Sequence, residues 1–305
     1  MSQVAVIDCG TNSIRLLIAN VSSNGFQEVV RKMEIVRLGQ GVDENKAFHP
    51  DAINRTLLAV KSFKEIIEKN KVEKIRFCAT SATRDATNRD LFVDGVRDIL
   101  NVRVEVIPGE EEAALSFTGA THQLDQSSGP FLVVDIGGGS TEFVIGSTQV
   151  ESAKSVNIGC VRMSERHLTQ QPPTSAQLHA AISDIDKAIA IAAKDVPITT
   201  AKTLVAVAGT ATTIAAAALE LESYDRYAIH LARISAEKVF QVAAKLQSLN
   251  RDEIAKLGYM HPGRVDVITA GALVLSRVMT ATGASEFVAS ESDILDGMAW
   301  KLAGE

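Results

Sequence analysis

The first two apolar runs of the chain, QVAVIDCG and IRLLIANV, are separated by the polar turn CGTNS at 9–13. Short apolar runs bounded by turn residues predict a buried hairpin rather than a helix. Segment 131–146, FLVVDIGGGSTEFVIG, repeats that design. Superposing the two places Asp8 on Asp135, Gly10 on Gly137 and Ser13 on Ser140, each 127 residues apart. A second pair, KIRFCATSATRDAT at 74–87 and TLVAVAGTATTIAA at 203–216, aligns Ala79, Ser81, Ala82 and Thr83 with Ala208, Thr210, Ala211 and Thr212 at an offset of 129. A repeat of more than about 100 residues is too long for a solenoid unit, so it predicts a duplicated domain.

Within each half the order is hairpin, helix, strand and more helix, with amphipathic stretches near 51–69 and 174–190. The pattern predicts an α/β fold of two similar domains facing each other across a pseudo-twofold axis, with a cleft between them. The polar stretch HQLDQSSGP at 122–130 marks the boundary, giving domains 1–124 and 125–292. A last helix near 293–305 is expected to return to the first domain.

A length of 305 residues suits two domains. The hydrophobic share of 46% with 22% charged residues excludes disorder, and a formal charge of −6 disfavours nucleic acid as a partner. Cys9, Cys78 and Cys160 form no CxxC pair, which excludes a disulfide framework or a zinc site. No signal-like start and no apolar run of membrane length is found, so a cytoplasmic protein is expected.

DIGGGST at 135–141 carries the sharpest chemistry. Gly137, Gly138 and Gly139 let the backbone approach a ligand and turn its N–H groups toward phosphate oxygens, while Ser140 and Thr141 add hydroxyl donors. The spacing is not that of a Walker A loop. In the sister turn Asn12 and Ser13 offer donors and Arg15 a fork. ATSATR (79–84) and AGTATT (208–213) supply further N–H groups where helices begin, with Arg84, Gly209 and Thr210 as candidates; Arg264, after a proline turn, is another.

Asp8 and Asp135 end apolar strands, where a carboxylate needs a cation or donors. Magnesium, or manganese, held by both aspartates and Glu142 answers that need. In PGEEEAALSF, Glu110, Glu111 and Glu112 suit a helix start, and any one of them could act on an attacking water as general base.

The motifs DCGTNSIRLLI, ATSATRDATN, IPGEEEA, VVDIGGGSTEFVIG, VAGTATTIAA and MHPGRVDVITAGALVL together closely resemble the exopolyphosphatase and guanosine pentaphosphate phosphohydrolase family, Ppx/GppA, of the actin-like (ribonuclease H-like) superfamily. The resemblance runs almost end to end, in the short two-domain form. It implies hydrolysis of terminal phosphate from inorganic polyphosphate, with shorter chains preferred, or of guanosine pentaphosphate. It implies Glu112 as general base, Asp135 as the magnesium-linked aspartate with Glu142 nearby, and phosphate contacts from Gly137 to Ser140, Asn12, Ser13, Arg84, Gly209 and Thr210. A homodimer is expected from the same source. The family often carries Leu-Arg-Glu-Gly where this chain has Ile294, Leu295, Asp296 and Gly297, so one arginine is missing. The rival classes are an ATP-dependent kinase or ATPase, disfavoured because GASEFVASESD at 283–293 lacks a glycine pair before proline, and a non-catalytic polyphosphate or alarmone sensor.

Overall fold

In the computed structural model, which describes residues 2–22 and 25–304, the first apolar run forms β1 (Ser2–Cys9). The CGTNS turn returns the chain as β2 (Ser13–Ser22), followed by β3 (Gly25–Ile35), and both steps are antiparallel. Then β4 (Lys74–Ala79) and β5 (Val104–Val106) add in parallel on the other side of β1, giving the order β3-β2-β1-β4-β5.

These strands read as unbroken apolar runs because both faces of the sheet are covered. Ala5, Ile7, Cys9 and Phe77 face the helices Pro50–Lys69 and Arg89–Leu100 through Phe63, Phe92 and Val96. Val4, Val6 and Cys78 face Leu115 of the helix Gly109–Thr121 and Leu295 and Met298 of the helix Ile294–Gly304. Asp8 continues the second face, since side chains two residues apart on a strand share one side.

The chain divides into two units: residues up to Gly119 together with Ile294 onward, and Ala120–Asp293. The second unit contains β6 (Phe131–Ile136), β7 (Thr141–Gly146), β8 (Val150–Val156), β9 (Thr203–Val207), β10 (Arg233–Ser235) and β11 (Glu286–Ala289). Their order is β10-β11-β9-β6-β7-β8. Read from β8, an antiparallel trio followed by two parallel strands repeats the first unit, and β10 adds an antiparallel edge. The fold is therefore a duplicated α/β domain, with the repeated sheet that the resemblance to the actin-like (ribonuclease H-like) superfamily implies.

Local chemistry sets the helix starts. Helix Pro50–Lys69 begins with proline at its first turn and the His49 ring accepting from the Asp51 N–H. Helix Ser175–Asp195 begins with a reciprocal cap between Thr174 and Gln177. Among the described residues no helix is long and apolar enough to cross a membrane.

Candidate active site

Both hairpin turns close in the same way: the Gly10 N–H donates to the Ser13 carbonyl and the Gly137 N–H to the Ser140 carbonyl, each at 3.0 Å. What lies behind the turns fixes which way their peptides face. In the first unit the Thr11 carbonyl accepts from Gly39, and the Asn12 carbonyl from Val36 and Arg37. In the second the Gly137 carbonyl accepts from Cys160, the Gly138 carbonyl from Val161 and Arg162, and the Gly139 carbonyl from Arg162 Nε. In a trans peptide the N–H points opposite to the C=O. The N–H groups of Asn12 and Ser13, and of Gly138, Gly139 and Ser140, are therefore turned away from these backing segments, which is the arrangement a phosphate needs.

Two glycines outside the predicted set make this packing possible. A Cβ on Gly39 would lie 2.3 Å from the Thr11 methyl, and one on Gly159 would lie 2.3 Å from the carbonyl carbon and oxygen of Gly138. Thr141 ties the same joint by donating its hydroxyl to the Ile158 carbonyl. The recurrence of Leu38-Gly39 and Ile158-Gly159 after the third strand of each repeat was the sequence signal for them.

The other two loops open the helices Ser81–Asp85 and Ala208–Ala218. Ala208 is held at φ 66°, a left-handed conformation that is strained for a residue with a Cβ. The Arg264 guanidinium lies directly on Gly209, where a Cβ would meet its Nη2 at 2.2 Å, and its Nη1 donates to the Thr213 hydroxyl at 2.9 Å. Arg264 is thus joined to the AGTATT loop. Thr210 is buried against Gly271, where a Cβ would meet its methyl at 2.6 Å, so it braces the loop from within.

The three successive glutamates are sorted by their partners. Glu110 is exposed. Glu111 binds the buried Arg76 at 2.8 Å, in a cluster with Glu105 and Lys301. Glu112, with a side chain only 12% exposed, binds Arg84 Nη1 at 2.7 Å, and Arg84 is held in turn by the Ile107 carbonyl at 2.9 Å. Burial pushes the Glu112 carboxyl above its ordinary range; Arg84 and the Thr80 hydroxyl pull it down, and the Asp8 charge adds to the rise.

The strand acids differ between the repeats. Asp8 stands opposite Arg15 on β2, which donates to its Oδ2 from Nη2 at 2.6 Å and from Nε at 3.1 Å. The Arg15 fork is thus engaged by its neighbour on the next strand. Asp135 stands opposite Glu142 at the corresponding place on β6 and β7, and both are buried. Glu142 Oε1 accepts from the Ser140 and Ser155 hydroxyls, each at 2.7 Å. Where the first unit places a guanidinium opposite its aspartate, the second places another carboxylate at the matching position. Among the described residues no group of three or more His, Cys, Asp or Glu side chains is gathered for a metal. The all-oxygen pair fits magnesium, which takes one or two carboxylates and completes its shell with waters and phosphate oxygens.

Residues 17–303 match the Ppx/GppA phosphatase family. The chain belongs to this family. It is 43% identical to exopolyphosphatase 2 of Mycobacterium tuberculosis over 100% of this chain and 99% of that protein. A crystallised exopolyphosphatase-like protein is 45% identical, with a TM-score of 0.93 over 97% of both chains. The guanosine-5′-triphosphate,3′-diphosphate pyrophosphatase of Vibrio atlanticus is 36% identical over 58% of this chain and 36% of its own length.

The position where Ppx/GppA proteins often carry arginine is core in this member. Leu295 is buried beside Val4 and Leu115. Its neighbour Asp296 accepts from Arg31 at 2.7 Å, and Gly297 permits the helix to press on the Leu115 carbonyl, which a Cβ would meet at 2.0 Å.

Proposed function

We propose that the protein is an exopolyphosphatase that releases terminal orthophosphate from inorganic polyphosphate by attack of water. The observation that carries this reading is Glu112: a nearly buried carboxylate, raised by desolvation and fixed at 2.7 Å by a single arginine, on a family member whose full-length relative is an exopolyphosphatase. A carboxylate tuned upward toward neutral pH is a competent general base for water. Glu112 takes the proton of the attacking water. Arg84 holds the Glu112 carboxylate in place and offers charge to the transferring phosphoryl group. The N–H groups of Gly138, Gly139 and Ser140, with those of Asn12 and Ser13, bind phosphate oxygens, and Arg264 adds a cation beside the Gly209 loop. Asp135 and Glu142 would hold magnesium, which supplies positive charge against the phosphate oxygens when bound. Catalysis of this kind is mainly positioning and electrostatics.

A cytoplasmic homodimer accompanies the proposal, the pairing of subunits being what the family resemblance implies. Guanosine pentaphosphate is the second reading, favoured by the partial match to the Vibrio pyrophosphatase.

The test is phosphate release from polyphosphates of defined length, with and without magnesium, and with guanosine pentaphosphate and ATP in parallel. Magnesium-dependent release from polyphosphate is expected. Turnover of guanosine pentaphosphate alone would move the protein to the second reading, and silence on all three substrates would make it a sensor.

The Arg84–Glu112 pair has its own consequence for pH. Arg84 lowers the Glu112 pKa, so in an Arg84→Met protein the carboxylate is protonated up to a higher pH. The acid limb of kcat/KM is expected to move upward. An unmoved limb would show that Glu112 is not the group titrating in it.

A further inference from the structure

Among the groups that back the Gly137–Ser140 turn, Arg162 is the one that carries a charge. It is one of two buried arginines among the described residues, 6% exposed, and its Nε donates to the Gly139 carbonyl at 2.6 Å. A charge-assisted hydrogen bond this short holds the peptide firmly and polarises it, making the N–H on its far side, that of Ser140, a stronger donor. The sister turn supplies the comparison. It closes through the same glycine-to-serine hydrogen bond, and the backbone N–H groups of Val36, Arg37 and Gly39 hold its Thr11 and Asn12 carbonyls. Backbone donors therefore suffice to shape such a turn, and the second turn has its own from Cys160, Val161 and Arg162, so the guanidinium adds charge rather than shape.

We propose that Arg162 is a positioning residue for substrate phosphate, its guanidinium fixing the Gly139–Ser140 peptide so that the Ser140 N–H and the cation behind it bind the polyphosphate end. This rests on the phosphate-binding reading of the Gly137–Thr141 turn. A contact made equally in the ground and transition states changes KM rather than kcat.

The test compares parent, Arg162→Met and Arg162→Lys proteins, full length, by calorimetry with tripolyphosphate and by steady-state kinetics. Arg162→Met is expected to weaken tripolyphosphate binding and raise KM by about 10- to 100-fold, the range for a lost hydrogen bond to a charged group. Its kcat should stay within about threefold of the parent, as loss of uniform binding requires, and Arg162→Lys should fall between the two. A folded Arg162→Met protein with parental Kd and KM, or a fall in kcat at unchanged Kd, overturns the proposal. Should that variant not fold, Arg162→Gln, which keeps an N–H donor without charge, is read in the same way. If the parent binds tripolyphosphate but releases no phosphate, the exopolyphosphatase reading fails while the Kd comparison still judges Arg162.

Discussion

Glu112→Gln is expected to lower kcat by about 10²- to 10⁴-fold, the usual contribution of a positioned acid or base, while the Kd for polyphosphate changes little. The amide keeps the size of the side chain and an oxygen for Arg84, so the local structure survives; it cannot take a proton from water. Glu111→Gln, one residue earlier on the helix, is the matched control. Glu111 is bound to Arg76 and Lys301 rather than to Arg84, so its loss should cost stability by about 1–3 kcal/mol and leave turnover near the parent value. Parallel pH–rate profiles and thermal melts separate the two effects. Parental turnover in Glu112→Gln would remove the general base from the proposed mechanism.

That contrast marks where the sequence was legible. The three glutamates stand in a row, and each is equally at home at a helix start. The helix turns about 100° per residue, so only the packed structure decides which of them meets Arg76, which meets Arg84 and which meets solvent. The strands and the duplication were readable because an offset of 127, drifting only to 129, survives in the residues themselves. That offset also pairs Arg15 with Glu142, yet what the pairing means, a guanidinium against Asp8 and a second carboxylate against Asp135, emerges only from the cross-strand register. The residues that sequence reading passed over, Gly39, Gly159, Arg162 and Ser155, all act from behind a turn or across a strand. Composition and spacing say nothing about such backing contacts, which depend on how far two backbones can approach.

Gly159 tests that last dependence. Its φ of −111° is open to any residue, so an alanine there meets no backbone strain. The obstacle is contact: the new Cβ would stand 2.3 Å from the Gly138 carbonyl group and 2.5 Å from the Gly139 nitrogen, both main-chain atoms that no rotamer change can clear. Either the Gly137–Ser140 turn or the start of helix Cys160–Arg166 must shift, and these elements share the hydrogen bonds from Cys160, Val161 and Arg162 that turn the glycine peptides. Gly159→Ala is therefore expected to lose about 1–3 kcal/mol of stability, as overpacking does. A displacement of about 1 Å at a phosphate-positioning loop costs about 10²-fold in rate, so kcat/KM should fall by that order even at temperatures where the variant is fully folded. Gly304→Ala, where a Cβ meets nothing within 4 Å, is the neutral control. A folded Gly159→Ala protein as active as the parent would show that the turn's peptides do not need their backing to bind phosphate. Loss of activity without loss of fold would place the precision of the site in a residue that bears no functional group at all.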